Sequence, residues 1–490
     1  MASVSFRKLV EGTFVYTLLG FLPLAARLVL FPVFVRYLSP YDYGLISLTN
    51  TLTSALTIVA VFGLEAAFGL YYFTYRRTPK MLATYFSTIL TSMLGIGAVL
   101  VGVGWLLGPM TVRALFKDPA FSYYPYGQIA VVVAVTGAVN ALVLSYYRNS
   151  QQPRKFFLVA ITSFAISLVA EAVAIIGMKQ GAEGVLIARL LGAGVVAVAV
   201  IGYVYGTTGF AFSRKMLWRS LAYSTPVLIY LFFGFVYNSY DRILIENYLS
   251  VAQVAVFSTA FTIASVLEIF MQAVQSATYP SVFELLKHDP KAHAHQVNQL
   301  FRMIGWGMLV LAAAILAPTP AFITYVTRPE YEPAVQLVPW LLVGFLFRFF
   351  YIVWTTPLFF YARYTKQLPW LNIVCGVAIV GFNIALLPWL GLLGAAIAMV
   401  LARGIQLVIT AALYYRQHEL RIDLGVLPIA YGIGCVCLIA LSLASHVPGV
   451  VRYLSFAIPL GLSVVAALVV AVWLHRTPGG LSLPRLRALL

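Results

Sequence analysis

The stretch RYLSPYDYGLIS, residues 36–47, lies between two apolar runs, and a related stretch, NYLSVAQVAVFS, occupies residues 247–258. The two align at an offset of 211: Tyr37, Leu38 and Ser39 match Tyr248, Leu249 and Ser250, while Ser47, Thr51 and Ser54 match Ser258, Thr262 and Ser265. The register survives into the next loop, where Arg76 aligns with Lys287 and TPK (78–80) with DPK (289–291). Two loops that agree without a gap across the intervening apolar run point to a chain built of two related halves.

The flanking composition says what is duplicated. Of 490 residues, 62% are apolar and 10% charged, with a mean hydropathy of +0.92; soluble domains carry about 25% charged residues. Apolar stretches of roughly 20 residues or more, each able to cross about 30 Å of hydrocarbon, recur from end to end. The expected fold is an all-α polytopic membrane protein of about 14 transmembrane helices, at 13–35, 43–71, 82–107, 125–147, 156–177, 184–205, 220–240, 251–283, 300–323, 334–361, 368–387, 390–414, 425–446 and 451–474. The first run continues into a further span and lacks a small-residue cleavage site, so it reads as part of the protein. Six helices per half is an even number, so both copies enter the membrane in the same direction. That arrangement is a parallel pseudo-two-fold repeat: an N-terminal lobe (1–215), a C-terminal lobe (216–420), and two further helices with a tail (421–490).

Lys and Arg concentrate in alternate loops, for example Arg76, Arg77 and Lys80, then Arg148, Arg154 and Lys155, then Arg214, Lys215 and Arg219. The loops between hold few, such as Arg36, Arg113, Lys117 and Lys179. By the positive-inside rule both termini are cytoplasmic, and the net charge of +17 is a topology signal rather than a mark of nucleic-acid binding. The three cysteines, Cys375, Cys435 and Cys437, fall within predicted spans and read as packing residues. His288, His293 and His295 read as a solvated loop, so no metal site is expected. No phosphate-binding loop, nucleophile elbow or paired-acid motif is present on a loop, and the protein is not expected to be an enzyme.

RYLSPYDYGLISL, followed by VFGLEAAFGLYYF, resembles the amino-terminal signature of the Wzx-type polysaccharide flippases, the polysaccharide transport branch of the multidrug/oligosaccharidyl-lipid/polysaccharide exporter superfamily. YNSYDRILIENYLSVAQVAVFSTAFTIA is similar to the start of that family's second lobe. The resemblance implies a flippase of the bacterial cytoplasmic (inner) membrane. Its substrate would be an undecaprenyl-diphosphate-linked oligosaccharide, carried to the outer leaflet by alternating access for O-antigen, capsule or exopolysaccharide assembly. It implies no cofactor beyond H+ or Na+ coupling, a glycan polymerase or ligase as partner, and a lipid-tail groove at the last two helices. An ion-coupled multidrug antiporter and a peptidoglycan-precursor flippase are the alternatives; buried arginines speak against a cationic drug.

Charges inside predicted spans are the candidate machinery, since each costs about 2.5–3.5 kcal/mol at a helix centre and must face protein, water or ligand. Arg27, Arg348 and Arg403 are candidates to hold a diphosphate, because guanidinium offers paired donors and keeps its charge when buried. The family pattern adds weight to Arg27, whose first helix commonly holds a basic residue. Arg403 is equally open to a structural tie. Arg189, nearer a helix end, reads as snorkelling to the interface. Phe347, Phe349, Phe350, Tyr351 and Trp354 flank Arg348 and read first as lipid-facing packing. Glu268, Glu171 and Glu65 are candidates for ion coupling or for pairing with the arginines. Thr262, Ser265, Glu268, Gln272, Gln275 and Tyr279 share one helix face, which makes Gln272 and Gln275 candidate glycan contacts. The corresponding earlier helix offers Ser47, Thr51, Ser54 and Thr57, read equally as cavity lining or packing. Asp241 and Arg242 read as an interfacial pair.

Overall fold

A computed structural model describes residues 22–288, 294–360, 368–416 and 422–444. Among them every regular element is a helix: α1 (Leu22–Tyr37), α2 (Pro40–Val61), α3 (Leu64–Tyr75), α4 (Pro79–Leu115), α5 (Gln128–Asn149), α6 (Pro153–Ala172), α7 (Ala182–Thr208), α8 (Arg214–Ser239), α9 (Asp241–Tyr248), α10 (Val251–His288), α11 (Ala294–Leu316), α12 (Thr319–Val326), α13 (Ala334–Phe360), α14 (Leu368–Leu390), α15 (Leu392–Arg416) and α16 (Leu427–Ala444). Among the described residues eleven stretches are long and apolar enough to cross a membrane, and they coincide with the second to twelfth expected spans. The first and thirteenth are seen as shorter apolar helices, Leu28–Tyr37 and Leu427–Leu443. The expected helix 451–474, the DPK tripeptide and His293 lie outside the described residues. The protein is a polytopic all-α membrane protein, and large apolar side chains such as Trp105, Leu106 and Met110 on α4 are more than two-thirds exposed, as lipid contact requires.

The duplicated link is a helix stop followed by a helix start. Ser39 caps α2: its Oγ accepts from the Asp42 N–H at 3.1 Å, and Pro40 opens the first turn. Ser250 does the same for α10, accepting from the Gln253 N–H at 3.3 Å. The repeated serine is therefore an N-cap used twice at one register. Eight residues further on, Ser47 Oγ and Ser258 Oγ, also equivalent in the repeat, hydrogen-bond to each other at 2.6 Å in a buried site. A Cβ on Gly44 would lie 2.1 Å from the Val251 carbonyl oxygen, so only glycine permits this approach.

The expected helix 43–71 is broken in two. Phe62 and Gly63 both adopt positive φ (49° and 67°), ending α2 and starting α3 at an angle. Gly63 is obligatory, since a Cβ there would lie 2.8 Å from the Ser224 carbonyl oxygen of α8. The expected helix 300–323 also divides, into α11 and α12, where Pro318 and Pro320 cannot continue the ladder.

By packing, the helices form two compact units. The first runs to Thr259 and includes Leu368–Ala398; the second comprises Ala260–Gln367 and the chain from Met399. This grouping follows which stretches of backbone lie close together, whereas the expected lobes 1–215 and 216–420 are defined by the sequence register. Within the first unit the core is aromatic, with Phe68 stacked on Tyr85 (centroids 5.5 Å apart) and edge-on to Phe86. Within the second, Tyr431 of α16 stacks on Phe349 (5.4 Å) and donates to the Gly305 carbonyl at 2.9 Å.

Candidate functional site

The second unit brings together three of the arginine and glutamate candidates. Glu268 on α10 receives Arg348 of α13, Nη1 to Oε1 3.0 Å, and Arg403 of α15, Nη2 to Oε2 3.7 Å. Gln272, one turn along α10, donates its Nε2 to Glu268 Oε1 at 3.2 Å. Arg403 is also held by the Gly344 carbonyl (3.5 Å) and lies over the Phe345 ring at 4.5 Å. The carboxylate is thus shared by two guanidinium groups, and the cluster carries one positive charge in excess. The two arginines differ: Arg403 is 4% exposed and Arg348 21%. Removing the carboxylate from such a buried group costs about 3–5 kcal/mol, because the partner charges are stranded.

Gln275 continues the face, donating Nε2 to the Tyr279 hydroxyl at 2.5 Å, and Tyr279 hydrogen-bonds Thr355 and Thr356 of α13. Three of the aromatics flanking Arg348, Phe349, Phe350 and Trp354, pack within the protein instead of facing lipid as expected. Phe349 and Phe350 are buried against Tyr431, and Trp354 stacks on Tyr414 (6.1 Å), because α16 and α15 cover that side of α13. Phe345, one turn before Phe349 on the same helix, is the ring that Arg403 meets.

The remaining candidates lie in the first unit, and those whose side chains are described are each in an ion pair. Arg189 does not snorkel. Its guanidinium makes a bidentate pair with Glu171 (3.0 and 2.9 Å) and reaches Asn50, tying α7 to α6 and α2. A carboxylate one helix away outcompetes the interface, because a forked pair is stronger than solvation at a half-buried end. Glu65 pairs with Arg148 of α5 at 3.2 Å, and Asp241 with Arg242 at 2.8 Å. Arg27 belongs to α1, but its side chain lies outside the described residues.

Asn50 and Arg148 were not among the sequence candidates; one reads as an ordinary helix polar residue and the other as a loop cation. Glu246 was also passed over. It is buried, and it accepts from the backbone N–H of Asp118 (2.7 Å) and Lys117 (2.9 Å), clamping the chain after α4 onto α9. Burial pushes its carboxyl up in pKa, although those N–H donors oppose the shift. Among the described residues no group of His, Cys, Asp and Glu could hold a metal ion.

The sequence profile described as polysaccharide biosynthesis protein matches residues 33–336. No curated protein matches the chain significantly. Among solved structures, the lipid II flippase MurJ in an inward closed conformation is similar at 14% identity and a TM-score of 0.70, over 94% of this chain and 99% of that one. An inward-facing multidrug resistance MATE family transporter of the MOP superfamily is similar at 15% identity and a TM-score of 0.64, over 80% and 95%. A mutant of a Vibrio cholerae MATE transporter follows at 14% and 0.54, over 84% and 96%. At such identities the likeness establishes a shared fold.

Proposed function

This chain belongs to the polysaccharide biosynthesis protein family, and we propose that it is a flippase for an undecaprenyl-diphosphate-linked oligosaccharide, working by alternating access in the cytoplasmic membrane. The observation that carries the reading is the excess positive charge around Glu268. A buried carboxylate balanced by one arginine is a tie; one shared by Arg348 and Arg403 leaves that group of three with a net positive charge, which suits an anion. Arg348, the more exposed of the two, would turn its forked donors to the diphosphate, while Arg403 stays with Glu268, Gly344 and Phe345. Gln272 and Gln275 supply amides suited to sugar hydroxyls. Glu268, relieved of Arg348, would become free to take up a proton, which offers a route for H+ coupling without a separate site. Transport then needs no covalent step, and a glycan polymerase or ligase would consume the product.

The fold shared with multidrug transporters makes a drug antiporter the competing reading, against which the buried positive charge stands, since it repels cations. A peptidoglycan-precursor flippase differs only in the glycan. The test is to delete the gene, locate the lipid-linked glycan by leaflet, and complement with wild type or Arg348→Ala. Cytoplasmic-face accumulation rescued by wild type, but reduced at least about tenfold in rescue by a normally inserted Arg348→Ala, supports the flippase. Normal outer-leaflet delivery in the deletion strain moves the antiporter to the front.

A further inference from the structure

Residues from 216 onward belong by register to the second half, yet α8, α9 and the start of α10 pack within the first unit, so that unit contains contacts between the halves. One of them is made by a buried carboxylate. Glu246 on α9 is 3% exposed, and both of its oxygens are used on the chain that follows α4. Its Oε1 accepts from the backbone N–H of Lys117 (2.9 Å) and of Asp118 (2.7 Å), and its Oε2 from that of Lys117 (3.2 Å). The grip is returned by its neighbours. Asn247 donates Nδ2 to the Leu115 carbonyl at 2.7 Å, and Lys117 donates Nζ to the Asn247 carbonyl at 2.7 Å while lying over the Tyr248 ring at 5.5 Å. The segment so held is fixed to α2 as well, because the Tyr41 hydroxyl donates to Asp118 Oδ1 at 3.1 Å. Two turns into α10 lies Ser258, joined to Ser47. These contacts occupy the end of the unit that the positive-inside rule makes outer, where Arg36 and Lys117 are among the few cations.

Three features set the Glu246 contact apart from a tie that only holds the fold. It crosses between the halves, whereas Arg189 with Glu171 and Asn50, and Glu65 with Arg148, join helices of one half. Alternating access leaves ties within a half intact and must separate those between halves on one face at a time. Its atoms also come apart reversibly. A carboxylate and backbone N–H groups exchange each other for water, so their net strength biases a two-state equilibrium without freezing it. Finally, it is one-sided. At the register of Glu246 the first half has Val35, apolar and fully buried, whereas elements of the repeated scaffold, such as the capping serines, occur in both halves.

We propose that Glu246 is the latch of the outer gate: by holding the backbone of Lys117 and Asp118 it keeps the outer ends of the two halves together, and it lets go when the transporter opens outward to release its lipid-linked substrate. It rests on the reading of the chain as a flippase that works by alternating access.

The gate is read by the rate at which a water-soluble maleimide labels single cysteines, followed by mass spectrometry on the full-length protein in phosphatidylcholine nanodiscs, with Cys375, Cys435 and Cys437 replaced by alanine. Ser258→Cys reports the buried position beneath the latch. Ser224→Cys reports a fully buried position nearer the other end of α8, where the native hydroxyl makes no hydrogen bond. In Glu246→Ala, labelling of Ser258→Cys is expected to rise about tenfold or more, and in Glu246→Gln and Lys117→Ala several-fold, since each keeps part of the contact. Lys117 is exposed, so its variant decides the matter if loss of the buried carboxylate prevents insertion. A rise at Ser258→Cys without a rise at Ser224→Cys upholds the latch. No rise at Ser258→Cys in the inserted variants overturns it, and so does a rise at both positions, because loss of fold exposes both ends alike. The labelling needs no substrate, so the latch and the flippase reading fail separately. Unchanged labelling beside cytoplasmic-face accumulation of glycan in the deletion strain removes the latch and leaves the flippase. Raised labelling at Ser258→Cys alone, beside normal outer-leaflet delivery, keeps the latch in a transporter of another cargo.

Discussion

α2 and α10 occupy equivalent positions in the repeat, and they agree for their first two turns and then part. Both begin at a capping serine, Ser39 or Ser250, and both carry the serine of the Ser47 to Ser258 contact. Beyond it, the hydroxyls of α2 turn inward on their own helix: Thr51 donates to the Ser47 carbonyl (3.0 Å), Thr53 to Thr49 (2.7 Å), Ser54 to Asn50 (2.8 Å) and Thr57 to Thr53 (2.7 Å). On α10 the residue at the register of Thr57 is Glu268, and its side chain meets α13 and α15 instead. The polar stripe of α2 is thus satisfied within one helix, as packing residues are; on α10 Ser265 does likewise, donating to the Thr262 carbonyl (2.8 Å), while Glu268 and Tyr279 reach other helices. The two helices agree at the capping serine and at the serine contact, and differ at the register of Thr57 and Glu268.

The sharpest way to break this comparison is to exchange the diverged position. Glu268→Thr, which installs the residue of the counterpart helix, strands two buried arginines and is expected to lower unfolding stability by about 3–5 kcal/mol in denaturant titration of the detergent-solubilised protein. Thr57→Ala removes only a hydroxyl bonded to its own helix and is expected to cost under about 1 kcal/mol. Equal losses at the two positions would mean that the carboxylate holds nothing together. A smaller effect sharpens the part that is shared. Ser39→Ala and Ser250→Ala should each cost about 1 kcal/mol by the same titration, and by similar amounts, because each removes one N-cap bond. Smaller again is the coupling between the equivalent serines. Ser47→Ala and Ser258→Ala should each cost about 0.5–1.5 kcal/mol, and the double variant little more than either single, since one bond joins them. Additive losses in that double-mutant cycle would show the two hydroxyls to be independent.

The candidate site was legible in part. Glu268, Gln272 and Gln275 stand out in the sequence by helical spacing, and Arg348 and Arg403 by their cost in hydrocarbon, since both signals are read along one helix. Arg189 was misread because its position near a helix end invited snorkelling, whereas its partners sit 18 and 139 residues away. Glu246 was passed over because the two backbone N–H groups that it meets lie 129 and 128 residues away.

What the sequence by itself determined is whatever depends on composition and short-range spacing: a membrane protein, its spans, the duplicated link with its capping serines, and which charges are out of place in an apolar segment. Hydropathy and helical period are local quantities, so they survive without the fold. Only the tertiary structure decided which acid each described arginine meets, that Ser47 touches Ser258, and that the chain breaks between α2 and α3 at Gly63. Each of those rests on contacts between helices far apart in the chain, where the choice of partner is made by packing and by the need to neutralise buried charge.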